Sequence, residues 1–233
     1  YMNYLKHVII IILMIGSQAV FGQKIDKNTQ NEIDEHLKIY EYLILEENND
    51  QAALRLAKVA VIYWEKTVYD SALVYFNKAA GIFEQLNQLQ ALKSVYTNIG
   101  AIYSEQNMHK KAIDYYTKSL GLSIQTGNEK EIAIKRIDLA NSYSLNKQHK
   151  MAIDLIDKVM AYAKSVNDQA LVLSTYAQYA SVYRRSGNEW KARENEFRHN
   201  HLNDSIEGVN YDLNAILAKE RKKFVQDSLS KIV

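Results

Sequence analysis

The side chains able to do chemistry are few, and their spacing works against most of the chemistry they could do. His199 and His201 stand two apart, which on a helix turns them about 200° from each other and away from a shared metal ion. His109 and His149 are 40 residues apart, which suits a repeated structural position better than a pair of ligands. The acidic pairs Glu46 with Glu47 and Glu194 with Glu196 come with no sign of a pocket. The eight Gly are scattered, so none builds a phosphate loop, and neither HExxH nor GxSxG is present. Zero Cys removes disulfides, thiolate catalysis, cysteine-ligated zinc and a lipidated Cys. No catalytic residue, metal site or cofactor is expected, and a pocket of convergent titratable groups would be needed to reopen an enzyme reading.

What positions these residues is a ladder. Tyr63, Tyr103, Tyr143 and Tyr183 are spaced by 40 residues, and Ala72, Ala112, Ala152 and Ala192 keep the same step. Ahead of each Tyr stands a small residue, Ala60, Gly100, Ala140 or Ala180, preceded by Val59, Ile99, Leu139 or Tyr179. After the Ala, helical spacing brings Phe76 and Ala79, Tyr116 and Ser119, then Ile156 and Val159. Apolar residues at i, i+3, i+4 and i+7 mark one face of a helix, and each unit holds two such faces. The expected unit is a helical hairpin in which small residues let the paired helices approach and the Tyr fills the space beside them.

The predicted helices run from Gln51 to Lys66 and Tyr69 to Leu86, Leu89 to Glu105 and His109 to Gln125, Glu129 to Leu145 and His149 to Ser165, Gln169 to Arg185 and Glu189 to Ile206. Asn87, Gly127 and Asn167 recur in the loops and tolerate left-handed backbone after a helix end. Gly81 and Gly121 fall in register with Ala161 inside second helices. A helix-interior Gly costs about 1 kcal/mol against Ala, so this pair points to close contact between neighbouring hairpins.

With 47% hydrophobic and 10% aromatic residues in 233, the chain has a core to bury, and a formal charge of +2 gives no reason to expect nucleic acid. Seventeen Tyr against five Phe suit half-wet helix interfaces. Met2 to Gly22 reads as a cleaved targeting segment: Lys6 and His7 precede the apolar run Val8 to Ile15, and cleavage is expected before Gln23. Met2 is then the true start and the address periplasmic or extracytoplasmic. An uncleaved anchor is the alternative, although the run is short of the roughly 20 residues that span a bilayer. Asp26 to Glu47 reads as one helix with the stripe Ile33, Leu37, Tyr40, Leu43 and Leu45; it either covers the first hairpin or serves as a partner-binding arm.

Tyr96, Ile99, Gly100, Tyr103, Ala112 and Tyr116 resemble the tetratricopeptide repeat, whose pattern places an aromatic or Leu, Leu-Gly and Tyr in a first helix and Ala, Phe and Ala in a second. The resemblance covers Ala52 to Asn203. It departs from the family in its period of 40 rather than about 34 and in lacking Pro. It implies an all-α fold, a right-handed α-α superhelix (tetratricopeptide solenoid) of four hairpins, 51–206, between an N-terminal helix, 23–50, and a long C-terminal helix, 207–233. The fourth unit, with Glu196 and His199 at apolar positions, is expected to be terminal, its outer face not stacked like the others.

The same resemblance implies a concave groove lined by the first helices. It carries groove positions onto Trp64, Thr97, Ala101, Ser104, Asn141, Ser144, Ser181, Arg184 and Arg185, with further places at Leu54 and Ile134. Trp64 would serve as an apolar anchor at one end, and Arg184 with Arg185 as a carboxylate site at the other. The Lys and Asn clamp of chaperone-binding members is absent, since Ala57, Thr97, Ile137 and Ala177 stand where its first Lys would be. Plain solvated surface explains the Ser and Asn residues equally well. Arg184 and Arg185 also suit a helix C-terminus.

From Glu207 onward, Leu213, Ile216, Leu217, Phe224, Val225, Leu229 and Ile232 thread a last helix beside the basic run Lys219, Arg221, Lys222 and Lys223. This segment resembles the one that follows the repeats in exported tetratricopeptide sensors of Bacteroidetes-type signalling proteins, where it leads into a membrane span and an effector. The alternative is a helix that caps the fourth hairpin. The expected function is a non-enzymatic protein- or peptide-binding module, the sensory part of such a protein; the second reading is a self-associating envelope adaptor, for instance a homodimer. Membrane contact is expected only through the N-terminal segment or a continuation past Val233.

Overall fold

The structure is a computed structural model and describes residues 25–206 and 213–229. The leader expected at 1–22, the start of the C-terminal segment at 207–212 and its end at 230–233 lie outside the described residues. Ten helices occur among those described: α1 Lys27–Leu45, α2 Asn49–Glu65, α3 Tyr69–Gln85, α4 Leu89–Glu105, α5 His109–Thr126, α6 Glu129–Leu145, α7 His149–Ser165, α8 Gln169–Arg185, α9 Glu189–Ile206 and α10 Leu213–Leu229. None of the described residues is in a strand, and the fold is all-α, built of consecutive helical hairpins. The chain divides into two compact units with the boundary between Val95 and Tyr96, inside α4.

The turns repeat more finely than the sequence does. Glu47, Thr67, Asn87, Asn107, Gly127, Lys147, Asn167 and Gly187, one every 20 positions, all have φ between 52° and 78°. The hydrogen bonds explain why residues as unlike as Thr and Lys accept this geometry. Thr67 N–H donates to the Trp64 carbonyl at 2.7 Å and Val68 N–H to the Tyr63 carbonyl at 2.8 Å, the two bonds of a Schellman closure. Met108 closes on Tyr103, Gln148 on Tyr143 and Asn188 on Tyr183 in the same way. Each ladder tyrosine therefore supplies the carbonyl that ends its own helix. The following helices begin at once, and three have side-chain caps, from Asn128 to Glu131 N–H, Asp168 to Leu171 N–H and Asn188 to Lys191 N–H.

In the first unit α1 packs on α2 and α2 on α3. Ile33 of α1 is fully buried with Val59 and Ile62, while Leu37, Tyr63 and Tyr75 close over them. Leu45 does not belong to that stripe: it is 82% exposed, because two positions past Leu43 a helix has turned about 200°. Tyr63 stacks on Tyr75 at 5.5 Å with Lys78 over the second ring.

In the second unit α5 packs on α6, α6 on α7, α7 on α8, α8 on α9 and α9 on α10. Ala112, Tyr116, Leu120, Ile132 and Leu139 make one core cluster, and Ala140, Ala152, Ile156 and Val182 the next. The close approach expected at Gly100 is present: a Cβ there would lie 3.0 Å from the Tyr116 ring. Tyr103 meets Tyr115 at 5.6 Å with Lys111 over its ring, so the ladder ring is half-buried and carries a cation on its wet side.

Gly81 and Gly121 do not mark a close contact, contrary to the expectation from their register. A Cβ at either would meet nothing within 4 Å. Their cost in helix propensity is therefore unrelieved by packing. Gly81→Ala and Gly121→Ala should each raise the unfolding free energy by about 0.5–1 kcal/mol, measured by urea denaturation followed by circular dichroism; a loss at either site would restore the contact.

Candidate functional site

The expected groove residues fall into three groups. Trp64, at the end of α2 in the first unit, is half-buried, with its ring edge-on to Phe76 at 6.4 Å and 73°. It is packed within its own hairpin. Thr97, on α4 in the second unit, shares a 2.8 Å hydrogen bond with Ser119 of α5 and so faces the partner helix. Ala101 and Ser104 follow on α4, half-buried.

The third group is brought together. First helices α6 and α8 lie against each other, and Arg185, at the end of α8, reaches across: its Nη1 donates to Asn141 Oδ1 at 3.3 Å and Ser144 Oγ at 3.4 Å. Asn141 and Ser144 are one turn apart on α6, which puts them on one face, and Ser144 is only 1% exposed. Arg184 turns the other way and pairs with Glu196 of α9. Beside that pair is a hollow of about 310 Å³ lined by Ala177, Ser181, Arg184, Glu196, His199 and Asn200. The two arginines are thus neighbours in sequence with separate partners.

The electrostatics separate them further. Glu196 balances the charge of Arg184, and both side chains are about half exposed. Among the described residues, the hydrogen-bond partners of Arg185 are neutral. One turn before Asn141, burial holds the Asp138 carboxyl above its ordinary value against the opposing pull of Lys135, 3.5 Å away. The position of α8 is secured by Tyr179, whose hydroxyl donates to the Asp157 carboxylate of α7. Burial first, then that carboxylate, keep the phenol well above its usual pKa.

Glu196, His199 and Asn200 were not legible as site residues. Glu196 and His199 occupy the register of Phe76 and Ala79, and stood out only as misfits of the fourth unit. Polar residues one turn apart at core positions were the available signal, and here they line the hollow. Phe224 of α10 packs on Trp190 at 5.7 Å, Arg193 and Arg221 lie over the two rings, and Leu217 is 8% exposed. The last helix thus packs on the fourth hairpin, in line with the capping alternative for this segment. No helix among the described residues is long and apolar enough to cross a membrane.

Comparison with known proteins agrees with the fold. Residues 50–125 match the family described as tetratricopeptide repeat. No curated protein matches the chain. Among solved structures, the chain is similar to BtubC (BKLC) from P. vanneervenii at 15% identity, with a TM-score of 0.64 over 80% of this chain and 79% of that one. It is also similar to a Signal Transduction ATPase with Numerous Domains (STAND) protein with a tetratricopeptide repeat sensor from Pyrococcus horikoshii, at 20% identity and a TM-score of 0.64, over 85% of this chain and 30% of that one. At these identities the likeness is one of fold.

Proposed function

We propose that this chain is a non-enzymatic, protein- or peptide-binding module of tetratricopeptide type, and that its ligand lies along α6 and α8 with an acidic group at Arg185. The observation that carries the reading is the bridge from Arg185 to Asn141 and Ser144, which holds one arm of the guanidinium with neutral partners. A fork fixed in this way suits a carboxylate better than a freely rotating side chain does. The finer reading is an exported sensor: the leader-like segment 1–22 supports export, and the likeness to a protein whose repeats are a sensor supports the role. In such a module the ligand on α8 would act on α9 and α10 through the contacts at Glu196 and Trp190.

The test is direct. A peptide library with free and amidated C-termini, screened by fluorescence anisotropy against the purified chain, should yield binders that prefer the free carboxylate. Arg185→Ala should weaken them about tenfold, the scale of one charge-assisted hydrogen bond, and Arg184→Ala less, since Glu196 already occupies that side chain. Equal affinity for all three proteins would remove the site.

A further inference from the structure

The two ends of the described chain carry opposite surfaces. Between Asp26 and Asp50 there are eight acidic residues against two lysines. On α1, Glu35, Tyr42 and Leu45 share one exposed face by helical spacing, Tyr42 61% and Leu45 82% exposed, and the exposed Glu46 follows at the helix end. Exposed aromatic and aliphatic side chains at the end of a repeat array, where a polar cap is the usual arrangement, suggest a surface that is covered part of the time. At the other end, Lys219, Arg221, Lys222 and Lys223 of α10 are all exposed and Glu220 is the one acid among them. Beside them is a hollow of about 490 Å³, lined by Ser186, Gly187, Asn188, Glu189, Trp190 and Phe224. Its aromatic wall is bordered by Arg193 and Arg221, each over a ring.

We infer that these surfaces are the two halves of one heterologous interface, in which α1 of one copy docks on α9 and α10 of a second copy. Leu45 and Tyr42 enter the hollow against Trp190 and Phe224, and Glu41, Glu46 and Glu47 face the basic residues of α10. An apolar knob in an aromatic hollow supplies the buried anchor, and the ring of opposite charge supplies register and rate. Because the two patches differ, a bound pair leaves one patch of each kind unoccupied, α9 and α10 on one copy and α1 on the other, and a further copy can add head to tail. This inference does not rest on the peptide site, whose residues it leaves untouched.

The experiment uses two variants of the full chain. Leu45→Arg spoils the α1 face alone; Lys222→Glu with Lys223→Glu spoils the α10 face alone. The parent chain should show a light-scattering mass that rises with concentration above that of one chain and falls as salt is raised from about 0.05 to 0.5 M. Each variant alone should associate at least about tenfold more weakly. Mixed together, they should form a one-to-one pair and stop there, since only one good interface remains between them. A parent chain that stays monomeric at low salt would overturn the inference, as would variants that associate like the parent, which places the contact elsewhere. Docking of α1 on α10 within one chain would also overturn it, and shows as a concentration-independent mass with no pairing of the variants. Circular dichroism matching the parent keeps loss of fold from being mistaken for loss of contact.

Discussion

Phe76→Ala is expected to remove about 3–5 kcal/mol of stability, the range for truncating a buried Phe. Phe76 is fully buried on α3, where its ring takes the edge of Trp64 at 6.4 Å. Deleting it leaves a cavity whose walls are helices held at both ends by Schellman turns, so little relaxation is available. Stability in a repeat array is close to a sum of local terms, and the first hairpin should be the part that fails. Thermal melting should fall by on the order of 10 °C, and the Trp64 emission should shift red as its ring contact is lost. Phe76→Leu, which keeps most of the volume, should cost roughly 1–1.5 kcal/mol. A loss under 1 kcal/mol from Phe76→Ala would mean that Phe76 is not the core residue of its hairpin.

The helices were legible because their signal is redundant. Tyr103 could be read as the close of a first helix from its own residues, but also from Tyr63, Tyr143 and Tyr183 standing at the same distance from an Ala. The turns were legible by halves. Asn87, Gly127 and Asn167 announced left-handed backbone by residue type, and the structure has it there. Thr67 and Lys147 gave no such sign, since a pair of closing hydrogen bonds outweighs the roughly 1–2 kcal/mol that a left-handed non-Gly residue costs. Leu45 was miscounted because an apolar residue one step off a stripe is invisible to residue type alone. The glycines at 81 and 121 misled for a related reason: a small residue repeated in register leaves room for a close contact but does not require one, and a Cβ at either would meet nothing within 4 Å.

The contacts among the candidate residues were legible in part. Asn141, Ser144 and Arg185 were all named from the repeat register, and the bridge among them follows from first helices of successive hairpins lying side by side. That Arg184 would pair with Glu196 was hidden because the sequence presents Glu196 as a flaw in a core pattern, and a flaw says nothing about what fills the place. Arg184 and Arg185, adjacent in the chain, leave the helix about 100° apart, so two cations in sequence reach different partners, a carboxylate for the first and neutral groups for the second.

Ala112→Trp tests the alignment at its least forgiving point. Ala112 is fully buried at the start of α5, in a cluster with Tyr116, Leu120, Ile132 and Leu139, with Tyr103 and Tyr143 packed against it. An indole has no space there. It must displace rings or part α5 from α6, and close-packed interiors resist both. The expected cost is at least about 3 kcal/mol, the upper end of what overpacking does. It should appear as an early melt of the second unit, with Tyr116 as the displaced ring. The exposed neighbour Lys110 supplies the control: Lys110→Trp adds the same indole two positions away and should change stability by less than about 0.5 kcal/mol. Equal melting temperatures for the two variants would mean that the 40-residue ladder does not place Ala112 at a helix crossing, and the assignment of α6 and α8 to one ligand surface would lose its basis.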